Sequence, residues 1–125
     1  MILTLAKVAL GGALGASARY LTGAAMVRLM GHGFPYGTMT VNIVGSFLMG
    51  VFVVAAAEKG LTPLSPFVMT GILGGFTTFS AFSLDTVALI ERGQTGAALL
   101  YVGLSVALSV GALVAGMTAA RGLFA

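Results

Sequence analysis

The 125-residue chain has no cysteine, one histidine, and only six basic and three acidic side chains. Without cysteine there are no disulfides, no thiol chemistry and no thiolate metal sites. His32 has no carboxylate or nucleophile close to it in the sequence, so no enzyme constellation can be assembled around it. Charged residues are 7% of the chain, against roughly a quarter in ordinary soluble domains. So few charges cannot dress the surface of a soluble protein this size. The basic residues also stand singly, at Lys7, Arg19, Arg28, Lys59, Arg92 and Arg121. Nucleic-acid binding needs them clustered on one face, so that class is excluded. The glycine runs GGALG and GILGG lie inside apolar segments. Phosphate and dinucleotide loops need a strand before them, so nucleotide binding is excluded too.

What remains is apolar: 58% of the residues, with a mean hydropathy of +1.09. The solvent for most of this chain is lipid. A bilayer core about 30 Å thick takes roughly 20 helical residues, and four such spans fit. Breaks in hydrophobicity place them at about 3–26, 37–57, 66–90 and 96–120, in one transmembrane domain covering 1–125. Each break carries Gly, Pro or charge, as helix ends should. The opening MILTLAKVALGGALGASARY has a signal-like look. It lacks a basic leader and runs on past Arg19, so it reads as a retained first helix.

With four spans, Lys7, Lys59 and Arg121 share one side of the membrane, while Arg28 and Arg92, with Arg19 nearby, share the other. Orientation follows the excess of basic residues. Here there is none, so the chain could insert both ways and form an antiparallel homodimer. Small residues recur at four-residue spacing: Gly11 with Gly15, Ser46 with Gly50, and Gly103, Ala107, Gly111 with Ala115. Helices in lipid associate through such small faces, which predicts close helix contacts.

The third span contains GILGGFTTFSAFSLD. Gly costs about 1 kcal/mol relative to Ala inside a helix, and Thr is also a weak former. The helix is expected to break between Gly74 and Thr78. Carbonyls freed at membrane depth must find protein, water or an ion, and broken helices are where transporters place ion sites. Phe76, Phe79 and Phe82 fall at spacing three and should share a face. Either they are lipid-facing packing, or their electropositive edges line a narrow anion path.

Three further groups need partners. Asn42, inside the second span, cannot face hydrocarbon. It either bonds another helix or offers its amide N–H groups to an anion. Tyr101, Ser105 and Ser109 stack as one hydroxyl stripe, unless the serines bond back to their own helix. Arg19 and Asp85 are ionisable groups inside spans, and each should face protein or water. A carboxylate suits an anion path poorly, so the role of Asp85 stays open.

The runs GALGASARYL, GTMTVNIVGSFLMG and GILGGFTTFSAFSLD together resemble the Fluc (CrcB) fluoride channel family, and the resemblance covers essentially the whole chain. It implies an all-α, multi-pass protein of the cell (inner) membrane, assembled as a dual-topology antiparallel homodimer with two fluoride pores. By that resemblance Asn42, Phe79, Phe82, Ser80, Tyr101, Ser105 and Ser109 line the pore, and Arg19 lies at its aqueous vestibule. A structural sodium ion would be held at the dimer axis by backbone carbonyls of Gly74 and Thr77. The implied role is protective: fluoride trapped in the cytoplasm leaks out passively. This chain departs from many members in having Ala81 where they have Thr, and Asp85 where they have Glu. Two rival readings are a small multidrug-type exporter and a structural subunit of a membrane complex. The exporter class carries an acid in its first helix, and this first helix has none.

Overall fold

The computed structural model describes residues 1–124, and they are almost entirely helical. Helix α1 runs Ile2–Met30 and α2 runs Tyr36–Lys59. A short 3-10 turn at Thr62–Leu64 leads into a π-type segment, Pro66–Leu73. The short α3 (Gly74–Phe76) precedes a two-residue break, after which come α4 (Phe79–Glu91) and α5 (Thr95–Phe124). Four segments are long and apolar enough to cross a membrane: α1, α2, α5, and Thr62–Glu91 taken as one bent span. The protein is thus a multi-pass membrane protein with a bent third span.

The outward faces carry Leu, Val and Ile, including Leu10, Leu14, Val110 and Val114. The largest fully buried side chains are Tyr101, Leu89 and Val41. Such a surface suits lipid, where backbone groups are satisfied inside each helix and apolar side chains need no cover. Helix ends are marked by the residues that permit them. At Gly60 the backbone is left-handed (φ 68°), a conformation that glycine adopts without a Cβ penalty, and its N–H closes α2 on the carbonyl of Ala56.

Two seams hold the spans together. Where α1 crosses the third span, a Cβ on Gly15 would collide with the Ile72 carbonyl, and one on Gly75 would stand 2.8 Å from the Gly12 carbonyl. Where α2 meets α5, a Cβ on Gly50 would strike the Leu113 carbonyl, and one on Gly116 the Phe47 carbonyl. Only bare backbone allows these approaches, as expected of small-residue packing in lipid.

The expected pairings at Gly11 with Gly15 and at Gly50 are therefore real contacts, but the α5 stripe differs. Gly103 and Gly111 meet nothing within 4 Å, and both are exposed along with Ala107 and Ala115. The face of α5 turned inward carries Tyr101, Ser105, Gly116 and Ala120 instead. The four-residue repeat runs along the opposite flank.

Candidate functional site

The third span gives way at Thr77 and Thr78, whose backbones are extended (φ −86°, ψ 158° and φ −152°, ψ 122°). The break has a definite hydrogen-bond cause and consequence. In an unbroken helix the Thr78 N–H would serve the Gly74 carbonyl. Here it is donated to Asn42 Oδ1 at 2.8 Å, while Asn42 Nδ2 donates to the Thr78 carbonyl at 2.9 Å. Asn42 thus grips both backbone groups of one residue on another helix. The Ala81 N–H, which would serve the Thr77 carbonyl, is taken by Thr78 Oγ1 at 3.1 Å as the N-cap of α4. The carbonyls of Gly74 and Thr77 are left free of their helical donors. The Gly75 carbonyl is met by Arg19 Nε at 3.0 Å.

Two cavities flank this break. One, of about 410 Å³, is lined by Asn42, Phe79, Phe82, Ser105, Ser109 and Thr78, with others. It brings together five of the seven residues that the resemblance assigns to the pore, Asn42, Phe79, Phe82, Ser105 and Ser109, from α2, α4 and α5, and Thr77 lines it too. The Phe79 and Phe82 rings stand 5.5 Å apart, tilted at 46°. Phe79 is 77% exposed on the single chain, so its side of the cavity is open. Phe76 does not line this cavity. The extended residues reset the helical phase between Phe76 and Phe79, and the three rings do not form the shared face expected from their spacing. Phe76 stays beside Gly45, with ring carbon Cδ2 3.3 Å from where a Cβ there would sit.

Ser105 is the most telling member. It is buried, and its Oγ has no hydrogen-bond partner. Hydroxyls elsewhere in the helices do bond back one turn: Thr22 to Ala18, Ser83 to Phe79, Thr86 to Phe82 and Thr118 to Val114. A buried unsatisfied hydroxyl costs about 1–3 kcal/mol. Its residue lines the cavity, while the hydroxyl oxygen itself lies just beneath the wall.

The second cavity, of about 660 Å³, has Arg19, His32, Phe34, Asp85 and Thr78 in its walls. Thr78 alone among the described residues borders both cavities. Arg19 lies half-buried in the wall of this cavity. Asp85 accepts a hydrogen bond from the Tyr101 hydroxyl at 3.1 Å, which ties α4 to α5. Tyr101 itself is fully buried behind the ring-lined cavity and packs against Phe82, with centroids 5.2 Å apart. Ser80 is exposed, its hydroxyl 3.2 Å from Thr78 Oγ1, and it does not border the ring-lined cavity. Ala81 presents a methyl group to the Arg19 cavity.

Two roles were not evident in the sequence. Thr78 marks the end of the expected break, and beyond that it is the N-cap of α4 and the wall shared by both cavities. Phe34 sits in a loop, and its contact with Tyr101 is visible only in three dimensions.

The walls of the two cavities offer hydroxyl and amide donors, ring edges and one guanidinium. Comparison with known proteins gives the family. A family model described as CrcB-like protein, Camphor Resistance (CrcB), matches residues 6–117. The chain is 66% identical over 125 residues to a protein of Cereibacter sphaeroides (strain ATCC 17029 / ATH 2.4.9), covering 100% of both chains. It is 64% identical over 124 residues to one of Ruegeria sp. (strain TM1040), covering 98% of each. A protein of Paracoccus denitrificans (strain Pd 1222) is 54% identical over 122 residues, again at 98% of each. All three relatives bear the name fluoride-specific ion channel FluC.

Proposed function

This chain belongs to the CrcB-like family, and from that premise we propose that it is a fluoride-specific channel of the cell's inner membrane. It lowers cytoplasmic fluoride by letting the anion leak out passively. The observation that carries the reading is the ring-lined cavity, whose walls bring the Asn42 amide, the Phe79 and Phe82 rings, and Ser105 and Ser109 together beside the break.

Fluoride is small and holds its water tightly, so a path must replace that shell donor by donor. Arg19 at the mouth attracts the anion from solution. Beyond Thr78 it meets the Ser105 and Ser109 hydroxyls and the Asn42 amide, which has a second N–H beyond the one given to Thr78. Edges of Phe79 and Phe82 supply positive potential without a full charge, so the ion is held weakly enough to leave. Donors and ring edges spaced for a small ion match larger, more weakly hydrated halides poorly. Tyr101 and Asp85 hold Phe82 and α4 in place from behind the cavity.

The functional unit in this reading is an antiparallel homodimer in which each chain inserts in either orientation. A second copy would cover the open side of the cavity at Phe79. Basic residues balanced on the two sides of the membrane support it. The carbonyls of Gly74 and Thr77, stripped of their helical donors, form an oxygen-only set suited to a hard cation. Two such pairs, one from each copy, would hold a structural sodium ion. When bound, the ion neutralises the carbonyl dipoles and locks the two breaks against each other.

The test is voltage-driven efflux from liposomes with the proton gradient collapsed. Fast fluoride efflux with chloride retained supports the channel. Efflux that requires a proton gradient would point to a coupled exporter, and no flux at all to a structural subunit. α1 carries no acidic residue with which to couple protons.

A further inference from the structure

The rings of the pore do not end at the pore. Phe79 packs on Phe82 (5.5 Å, 46°), Phe82 on Tyr101 (5.2 Å, 42°), and Tyr101 on Phe34 in the α1–α2 loop (5.5 Å, 89°). Phe34 in turn packs on Tyr36 (5.0 Å, 54°). Five rings make a continuous row from the membrane surface to the ring-lined cavity. Its two ends border different spaces: Phe34 and Tyr36 line the Arg19 cavity, Phe79 and Phe82 the other.

We propose that Phe34 is a positioning residue for the pore ring Phe82, acting through Tyr101. This rests on the channel reading. Tyr101 is the pivot: it is fully buried, and its hydroxyl is tied to Asp85 at 3.1 Å. With its tip tethered, the Tyr101 ring is held by its neighbours in the cluster of Met39, Leu89 and Ala98, and by the two aromatic rings that pack on it, Phe34 and Phe82. The edge-on geometry with Phe34 is the favoured one for an aromatic pair, and it depends on a ring quadrupole as well as bulk.

The loop is built to keep Phe34 in place. Gly31 turns the chain at φ 80°, Pro35 fixes the backbone after the ring, and the Tyr36 N–H donates to the Phe34 carbonyl at 2.8 Å. Phe34 packs on the buried group of Met39, Leu89, Ala98 and Tyr101, as Phe82 does. Replacing Phe34 by a small residue would let Tyr101 swing toward the loop and free Phe82 from its tilt. The pore would then lose its ring geometry with every pore residue intact.

The test places 4-fluorophenylalanine at position 82 of the full-length protein and reads its 19F resonance in micelles, alongside fluoride and chloride efflux from liposomes. Phe34→Ala should move and broaden the line. It should cut fluoride efflux per folded protein by roughly two- to tenfold, the population change that one aromatic pair supports, and lower the fluoride-to-chloride ratio. Phe34→Tyr should restore all three, and Phe34→Leu, with bulk but no quadrupole, should not. A Phe34→Ala line and ion ratio equal to wild type would overturn the proposal, and so would Phe34→Leu matching Phe34→Tyr. That second comparison decides the matter if the alanine variant does not fold. Wild-type protein that conducts no fluoride would defeat the channel reading instead, with the resonance still deciding whether Phe34 controls Phe82.

Discussion

Asn42→Ala is the most informative single change, because Asn42 has two separable duties. Its side chain satisfies both backbone groups of Thr78, the N–H at 2.8 Å and the carbonyl at 2.9 Å. A hydrogen bond contributes about 0.5–1.5 kcal/mol net, and both are only part-buried, so the two together cost about 1–3 kcal/mol. Whole domains are stable by only about 5–15 kcal/mol. The variant should therefore survive heating in detergent markedly less well than wild type, measured as the folded fraction by gel filtration. Fluoride efflux should fall about tenfold or more even at temperatures where the protein stays folded, since 1.4 kcal/mol of lost break geometry already amounts to about a factor of ten.

Asn42→Asp separates the duties. It keeps an acceptor for the Thr78 N–H but sets a carboxylate oxygen against the Thr78 carbonyl, and it puts negative charge on an anion path. Its flux should be lower than that of Asn42→Ala. Wild-type heat resistance and wild-type efflux in Asn42→Ala would refute the view that this amide holds the break open.

Ser105→Ala should leave heat resistance unchanged or slightly raised, because it removes a buried hydroxyl without a partner. It should still slow fluoride efflux, and equal rates in efflux assays would mean the hydroxyl is no part of the path. Gly15→Ala should prevent folding, since its methyl group would enter the space of the Ile72 carbonyl. Gly12→Ala, with nothing within 4 Å of its Cβ, should be tolerated and gain a few tenths to about 1 kcal/mol of helix propensity. Equal recovery of folded Gly15→Ala and Gly12→Ala from membranes would contradict the packing described for α1.

Much of this arrangement is legible in the amino-acid order because lipid simplifies the problem. A span must be about 20 apolar residues long, so the four spans can be read from hydropathy alone. Glycine beside paired threonines at the centre of one span marks a helix that cannot continue, and the break falls at Thr77 and Thr78. A lone amide at membrane depth must have a partner, and Asn42 has one.

What could not be read is tertiary. Whether a turn closes at i+4 or i+5 leaves no mark in residue type, so the π-type segment Pro66–Leu73, which packs on α1 at Gly71, is not legible in the sequence. The break that the composition announces also changes the helical phase, which is why Phe76 leaves the face of Phe79 and Phe82. The stripe on α5 has the spacing of a contact face, but spacing does not say which flank meets α2. Phe34 stands among loop residues, and no local pattern links it to Tyr101, 67 positions away.

The central claim is that the cleft bounded by Phe79 and Phe82 is the route the ion takes. The direct measurement is fluoride efflux from liposomes carrying Phe79→Ile or Phe82→Ile, compared with wild type at equal amounts of folded protein. Isoleucine keeps the apolar bulk but has no electropositive edge, so efflux should drop toward that of protein-free vesicles. Wild-type rates in both variants would place the path elsewhere.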